Sequence, residues 1–302
     1  STGGDASKHG IGHEELAECL ELAAKHQVTV AGLHMHIGSG TDFEHLSQVC
    51  EAMKATALQV GSTIKVISAG GGLPTPYRDS DVGLDVDRYY QLWDKTRKDL
   101  ESEFGHSISL EIEPGRFLVA ESGFLLTEIR AVKNMGKNLF YLVDAGFNNL
   151  ARPILYGAYH PMSIAFAGSG SEASQPVIVG GPLCESGDIF TQEEGGFVCS
   201  RELPVAAVGD YLVIECAGAY GYVMSSNYNS KPFAAEVLLD EGAAHLIRRR
   251  QTPEDLVLGE SIPASESKRI KLEELDDQTH VSHRDFTCAE DRRFTQSRFR
   301  LV

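Results

Sequence analysis

Apolar and polar positions alternate in two distinct rhythms along this chain, and the change of rhythm divides it. In the first third, helical and strand spacing take turns. Residues 11–26 carry Leu16, Leu20, Ala23 and Ala24 on one helical stripe. Residues 28–37 predict a strand, 46–60 a second helix, and 64–69 a second strand. Residues 87–104 predict a third helix, which holds the sole tryptophan, Trp93, and 107–113 a third strand. Each strand runs into glycine: Gly38 and Gly40, then Gly70-Gly71-Gly72, then Gly115. Strand–helix repetition with glycine at the strand ends is the pattern of a parallel α/β unit, in which ligands sit at the carboxyl ends of the strands.

Past about Ser122 the rhythm shortens. Strands are expected at 125–132, 139–144, 177–180, 211–216, 236–239 and 245–249, separated by turn residues, and this reads as an all-β domain. A closing helix is expected at 252–258, with Thr252 as N-cap and Pro253 in the first turn. From Pro263 to Val302 charges of both signs alternate with few aliphatics, so this tail is expected to be disordered or weakly helical. The expected organisation is therefore residues 1–121 as part of a barrel, 122–262 as a β domain, and 263–302 as a tail.

Composition narrows the function without naming it. The chain has 302 residues and a formal net charge of -16, with no basic run, which argues against nucleic acid and anionic membranes as partners. No apolar run approaches the roughly 20 residues a spanning helix needs. Six scattered cysteines without a C-x-x-C pair point to a reducing, cytoplasmic setting rather than to a disulfide scaffold or zinc site. Residue 1 is Ser and the chain opens on Thr2-Gly3-Gly4, which reads as the middle of a longer protein.

Chemistry collects at the strand tips and in three later segments. In Leu33-His34-Met35-His36-Ile37 the apolar residues share one face and the two histidines the other. The Gly38-Ser39-Gly40 turn that follows can offer backbone N–H groups to an anion. Such a strand suits a ligand with a flat ring and a phosphate; it equally suits a metal half-site or two core histidines. Gly70-Gly71-Gly72 is a second anion cradle or a tight turn. In 107–113, Ile108, Leu110 and Ile112 are expected to face the helices and Ser109, Glu111 and Glu113 the barrel interior, where a carboxylate is costly unless partnered. Glu113 stands before Pro114, Gly115 and Arg116, and could hold a proton on a ring nitrogen or pair with Arg116. The 144–160 segment is rich in polar and aromatic residues, with Arg152 suited to a carboxylate. Cys184, between glycines and beside Glu185 and Asp188, suits a proton donor or nucleophile. Tyr220, in the last polar–aromatic segment, could reach a phosphate or a ring.

Taken together and in order, these segments resemble the fold type III, alanine-racemase-like, pyridoxal-phosphate-dependent decarboxylases, and within them the diaminopimelate decarboxylases. The resemblance covers about residues 2–258 and rests on the His34–Ser39 segment, Gly70-Gly71-Gly72, the Glu113–Arg116 turn, the Arg152–Tyr156 segment, Cys184 to Asp188, and the 218–229 segment. It implies the C-terminal part of an alanine-racemase-like (β/α)8 barrel followed by a β-sandwich or barrel domain. It implies pyridoxal 5'-phosphate as cofactor and no metal. His36 would stack on the pyridine ring. Ser39, Gly72 and the turn of Glu113, Pro114, Gly115 and Arg116 would hold the cofactor, with Glu113 on the ring nitrogen. Arg116, Arg152 and Tyr156 would bind the substrate, Glu185 its distal end, and Tyr220 both cofactor and substrate. Cys184 would protonate Cα, donated with Glu185 by the partner subunit of a homodimer. The implied reaction takes meso-2,6-diaminopimelate to L-lysine and carbon dioxide; the alternative substrate is another basic amino acid.

One element of that family is missing. Its cofactor lysine stands on an early barrel strand, in a segment like Tyr-Ala-x-Lys-Ala, and no such segment occurs here. A closed barrel takes about 250 residues, far more than precede the β domain. The chain is therefore expected to be a fragment that cannot attach its cofactor and is at best feebly active. The competing expectations are a degenerate homologue that pairs with an intact decarboxylase and regulates it, or a broken gene product. Apolar surface is expected where the absent strands would pair.

Overall fold

The computed structural model describes residues 7–36 and 42–263. Gly38, Ser39 and Gly40, and the tail beyond Pro263, lie outside these residues. By contacts the chain divides into a compact unit, Ser1–Gln251, and a second beginning at Thr252.

A single 3-10 turn precedes α1 (Leu16–Lys25), which buries no residue. Then come β1 (Gly32–His34), α2 (Phe43–Val60), β2 (Val66–Ser68), α3 (Val86–Phe104) and β3 (Ser109–Glu111). The strands form one parallel sheet in the order β1-β2-β3. Both long helices start at an aspartate: Asp42 accepts from the His45 N–H at 2.6 Å and Asp85 from the Arg88 N–H at 2.9 Å. α3 ends at Gly105 in the left-handed conformation, φ 72°.

Packing is one-sided. Met53, Ala57, Ile64, Ile67, Trp93, Leu100 and Ile108 form a core between the sheet and its helices, with Leu33, Met35 and Leu110 packed against it. On the other face of the sheet His34, Ser109 and Glu111 of the two edge strands are exposed, while Ser68 of the central strand is buried. Two expectations change here. The carboxylates expected inside a barrel stand in the open, so the burial cost expected for them does not arise. Ile112, expected to face the helices, lies beyond the end of β3 and is 46% exposed. Exposed apolar residues next to the sheet include Leu118 and Val119.

α4 (Gly115–Val119) leads into the β half: β4 (Leu125–Met135), β5 (Asn138–Val143), α5 (Arg152–Tyr156), β6 (Met162–Ala165), β7 (Ser174–Gly180), β8 (Gln192–Glu193), β9 (Phe197–Val198), β10 (Arg201–Pro204), β11 (Tyr211–Ile214), β12 (Glu236–Asp240) and β13 (Ala243–Arg248). Six of these make one sheet, β10-β7-β5-β4-β11-β6, antiparallel except for β5 on β7. Its core holds Ile129, Tyr141, Val143, Val177, Val179, Leu203, Leu212 and Ile214. The Tyr141 hydroxyl is wholly buried, donates to Pro204 O, and accepts from Gln175 Nε2 and the Ala206 N–H, which ties β5, β7 and β10 together. Strands β6, β8, β9 and β10 were not expected, and α5 forms where only irregular chain was.

In the second unit, α6 (Pro253–Leu256) begins at Thr252, whose N–H donates to Asp255 Oδ2 at 2.7 Å.

Candidate functional site

The carboxyl ends of β1, β2 and β3 are laced together by backbone. The Met35 N–H donates to Ser68 O, the Ala69 N–H to Glu111 O, and the Glu113 N–H to Gly70 O at 2.8 Å. Between them, the Gly71 N–H donates to His36 Nδ1 at 3.2 Å, which fixes the imidazole with its Nδ1 as acceptor. Glycine is required twice. Gly70 has φ +64° and a Cβ there would stand 2.2 Å from Met35 O; a Cβ on Gly71 would stand 2.6 Å from Glu113 O and 3.0 Å from His36 Cε1. Gly72 also has positive φ, +93°. His34 Nε2 lies 3.2 Å from Glu113 Oε2, with both side chains largely exposed. The ligating atoms of His34, His36 and Glu113 all lie within 4.8 Å of one another.

A second group surrounds Tyr77, in the loop after the glycine run. Arg116, in α4, holds its guanidinium carbon 5.9 Å from the Tyr77 ring centroid, and that of Arg152 is 5.0 Å away. Arg152 is 7% exposed, and its Nη1 donates to Tyr77 Oη and to His160 Nε2, both at 3.0 Å. His160 is 1% exposed, and its Nδ1 donates to Glu215 O at 2.9 Å. Burial pulls the His160 pKa down to about 4; the Glu215 carbonyl opposes this, and the charges of Arg152 and Arg201 add to it. Beside them a cavity of about 430 Å³ is lined by Thr75, Tyr77, Ser80, Asp81 and Arg116. Tyr156, at the other end of α5, is exposed. The 217–221 turn packs on the end of α4: the Gly218 N–H donates to Ala120 O at 3.0 Å, and a Cβ on Gly218 would stand 1.9 Å from Val119 O. Tyr220 follows with φ 59° and its ring half-exposed.

The third group is the loop after β7. Asp188 is buried and accepts from the N–H groups of Leu183 and Phe147, both at 2.8 Å. Burial pushes its carboxyl up against the pull of those bonds. Cys184 is exposed. Glu185 accepts from the Gly187 N–H, Ser186 Oγ and Tyr228 Oη, which lowers its pKa. Among the described residues, no hydrogen bond or ion pair joins Cys184 or Glu185 to His36, Glu113, Arg116 or Arg152.

The structure therefore brings together His36 with Glu113, and Arg116 with Arg152. It sets Tyr220 on a turn against the helix that carries Arg116, and leaves Cys184 and Glu185 on a loop of their own. Sequence reasoning missed Tyr77, which carries no motif, and assigned no cofactor or substrate role to His34, His160 and Asp188, although all three stand inside segments already singled out.

A parallel sheet with an imidazole and a carboxylate at its tips, followed by a β domain, defines a class. Residues 66–218 match the model of the pyridoxal-dependent decarboxylase C-terminal sheet domain, and residues 1–120 that of the pyridoxal binding domain. The chain belongs to the pyridoxal-dependent decarboxylase family, whose cofactor is pyridoxal 5'-phosphate. It is 52% identical over 260 residues to diaminopimelate decarboxylase of Escherichia coli K12, covering 85% of this chain and 62% of that one. It is likewise 52% identical over 265 residues to that of Streptomyces coelicolor, covering 87% and 60%. A solved diaminopimelate decarboxylase aligns with a TM-score of 0.82 at 52% identity, over 85% of this chain and 62% of that one. The Helicobacter pylori diaminopimelate decarboxylase complexed with L-lysine aligns with a TM-score of 0.68 at 30% identity, over 91% and 63%. The chain thus spans about 62% of the length of the E. coli relative.

Proposed function

We propose that this chain supplies the cofactor-ring and substrate-binding parts of a carboxy-lyase that converts meso-2,6-diaminopimelate to L-lysine and carbon dioxide. The observation that carries the reading is the seating of His36 and Glu113 on either side of Gly71 at the tips of a parallel sheet. The same donor set would suit a divalent ion; membership of a pyridoxal-dependent family favours a flat ring. The residues fit that ring and its phosphate. His36 offers an imidazole face, Glu113 a carboxylate for the proton of a ring nitrogen, and Gly72 a backbone amide for a phosphate, since the Gly70 and Gly71 N–H groups are taken by Ser68 Oγ and His36 Nδ1. Pro114 and Gly115 would complete the hold, together with Ser39, which lies outside the described residues.

When bound, the cofactor draws electrons from the substrate's Cα so that the carboxylate can leave as carbon dioxide. The chain's own residues do the rest. Arg152, held from behind, and Arg116 bind carboxylates. Tyr156 and Tyr220 contact the substrate, and Glu185 accepts from its distal amino group. Cys184 delivers a proton to Cα. Among the described residues Cys184 and Glu185 share no hydrogen bond or ion pair with the other groups, and this supports a homodimer in which the partner subunit donates that loop. The two hydrophobic cores support treating residues 1–121 and 122–262 as separate domains. Among the described residues no helix is long and apolar enough to cross a membrane, in keeping with a cytoplasmic enzyme.

The test is equilibrium dialysis with pyridoxal 5'-phosphate, followed by titration with meso-2,6-diaminopimelate. One cofactor per chain, lost in Glu113→Gln, is the expected result. Equal binding by the variant would sink the reading.

A further inference from the structure

Arg152 has five N–H donors in a planar fork. Both donors on Nη1 are taken, one by Tyr77 Oη and one by His160 Nε2. His160 can serve as acceptor there because its Nδ1–H is spent on Glu215 O, and burial keeps the ring neutral at ordinary pH. The Tyr77 ring stands edge-on to His160, 5.5 Å between centroids at 73°, so the two acceptors brace each other. Nε and Nη2 form the opposite edge of the fork, and among the described residues neither has a partner. Nor is either sealed away unpaired: the buried side-chain polar atoms left without partners are Thr75 Oγ1, Tyr89 Oη and Trp93 Nε1. An Nε/Nη2 edge is the one that takes a carboxylate by two parallel hydrogen bonds.

We propose that Tyr77 and His160 are positioning residues that clamp Nη1 of Arg152 and so present its Nε/Nη2 edge as the receptor for a substrate carboxylate. This rests on the reading of Arg152 as a substrate-binding residue. Tyr77 and His160 touch Arg152 and act through it. Lysine could not replace Arg152, since the three donors of an ammonium are too few for two acceptors behind it and a carboxylate held by two parallel bonds in front.

Three variants test the clamp, and a fourth, Arg152→Gln, the carboxylate edge, on the chain loaded with pyridoxal 5'-phosphate, with meso-2,6-diaminopimelate as the probe. His160→Gln keeps an acceptor for Nη1 and a donor for the Glu215 carbonyl; His160→Leu keeps bulk and neither; Tyr77→Phe removes the other acceptor. The readouts are the Kd by calorimetry and the hydrogen exchange of the Arg152 guanidinium by 15N NMR. His160→Leu and Tyr77→Phe should each raise Kd about tenfold and speed the exchange, while His160→Gln stays within about threefold of the parent on both. Unchanged exchange in Tyr77→Phe and His160→Leu would overturn the clamp, and Tyr77→Phe decides alone if the leucine variant does not fold. A clamped Arg152 whose replacement by Gln leaves Kd unchanged would overturn the carboxylate edge and the substrate reading of Arg152, and leave the clamp standing.

Discussion

The Nε2 atom of His34 lies 3.2 Å from Oε2 of Glu113, although the strands leading to them are not neighbours and β2 runs between. Both side chains are too exposed for the pair to contribute more than about 1 kcal/mol to stability. Its importance is to the direction of the carboxylate. Glu113→Gln should weaken binding of pyridoxal 5'-phosphate at least about tenfold, since a charge-assisted bond to a ring proton is lost. His34→Ala should change it by less than about threefold. Equilibrium dialysis of both variants checks the order.

Gly71 offers a steric test of the same site. An alanine there meets the Glu113 carbonyl at 2.6 Å and the His36 ring at 3.0 Å. The strand tips must part, and the Gly71–His36 bond with them. Gly71→Ala should cost roughly 1–3 kcal/mol in urea unfolding and abolish measurable cofactor binding. Gly83→Ala, where a Cβ meets nothing within 4 Å, is the control and should do neither.

His160 makes stability depend on pH. Its folded pKa, about 4, lies below its unfolded value of 6.5. The unfolded chain therefore takes up a proton between these values that the folded chain refuses. Its contribution is fully present above pH 6.5 and lost as pH falls toward 4, by roughly 3 kcal/mol for a shift of this size. Denaturant unfolding at pH 7 and at pH 4.5, in the parent and in His160→Gln, should show a smaller fall in the variant.

Tyr141 separates stability from site chemistry. Phenylalanine at this position leaves the Ala206 N–H and the Pro204 carbonyl without their hydroxyl partner in a dry core. A loss of roughly 1–3 kcal/mol follows. Cofactor binding at the strand tips should be unchanged, because the β5–β7–β10 contacts lie in the other hydrophobic cluster.

The lysines give the last prediction. Among the described residues Lys25, Lys54, Lys95 and Lys98 lie in helices, Lys8 precedes α1, Lys65 precedes β2, Lys133 lies in β4, Lys137 in the turn after it, and Lys231 between β11 and β12. None stands at the carboxyl end of β1, β2 or β3. Borohydride treatment of the chain with pyridoxal 5'-phosphate should leave no stoichiometric lysine adduct by mass spectrometry. One adduct per chain at a single lysine would refute this.

Periodicity was sufficient for much of the architecture. Apolar spacing placed α2 at 46–60 and α3 at 87–104 and strands at 28–37, 64–69 and 107–113, all of it local, while the capping aspartates Asp42 and Asp85, which set the true helix starts, went unread. The same spacing put His34 and Glu111 on the face away from the helices, and the glycine runs marked where a ligand would approach. Strand β10 escaped because Arg201-Glu202-Leu203-Pro204 offers one aliphatic between charges and a proline, β6 because it is a short piece between Pro161 and a glycine–serine run, and α5 because its single turn opens on Arg-Pro.

What the sequence determined by itself is the inventory: an imidazole, a glycine run, a carboxylate, arginines and an exposed thiol, each at the end or turn of a local element. Tertiary structure alone decided which of them meet. Tyr77 and Arg152 are 75 residues apart, and no local rule couples a loop tyrosine to the first turn of a later helix. Only packing of the loop against α5 brings them to 3.0 Å, and only burial makes His160 the neutral acceptor that completes the group, because desolvation is a property of the assembled fold.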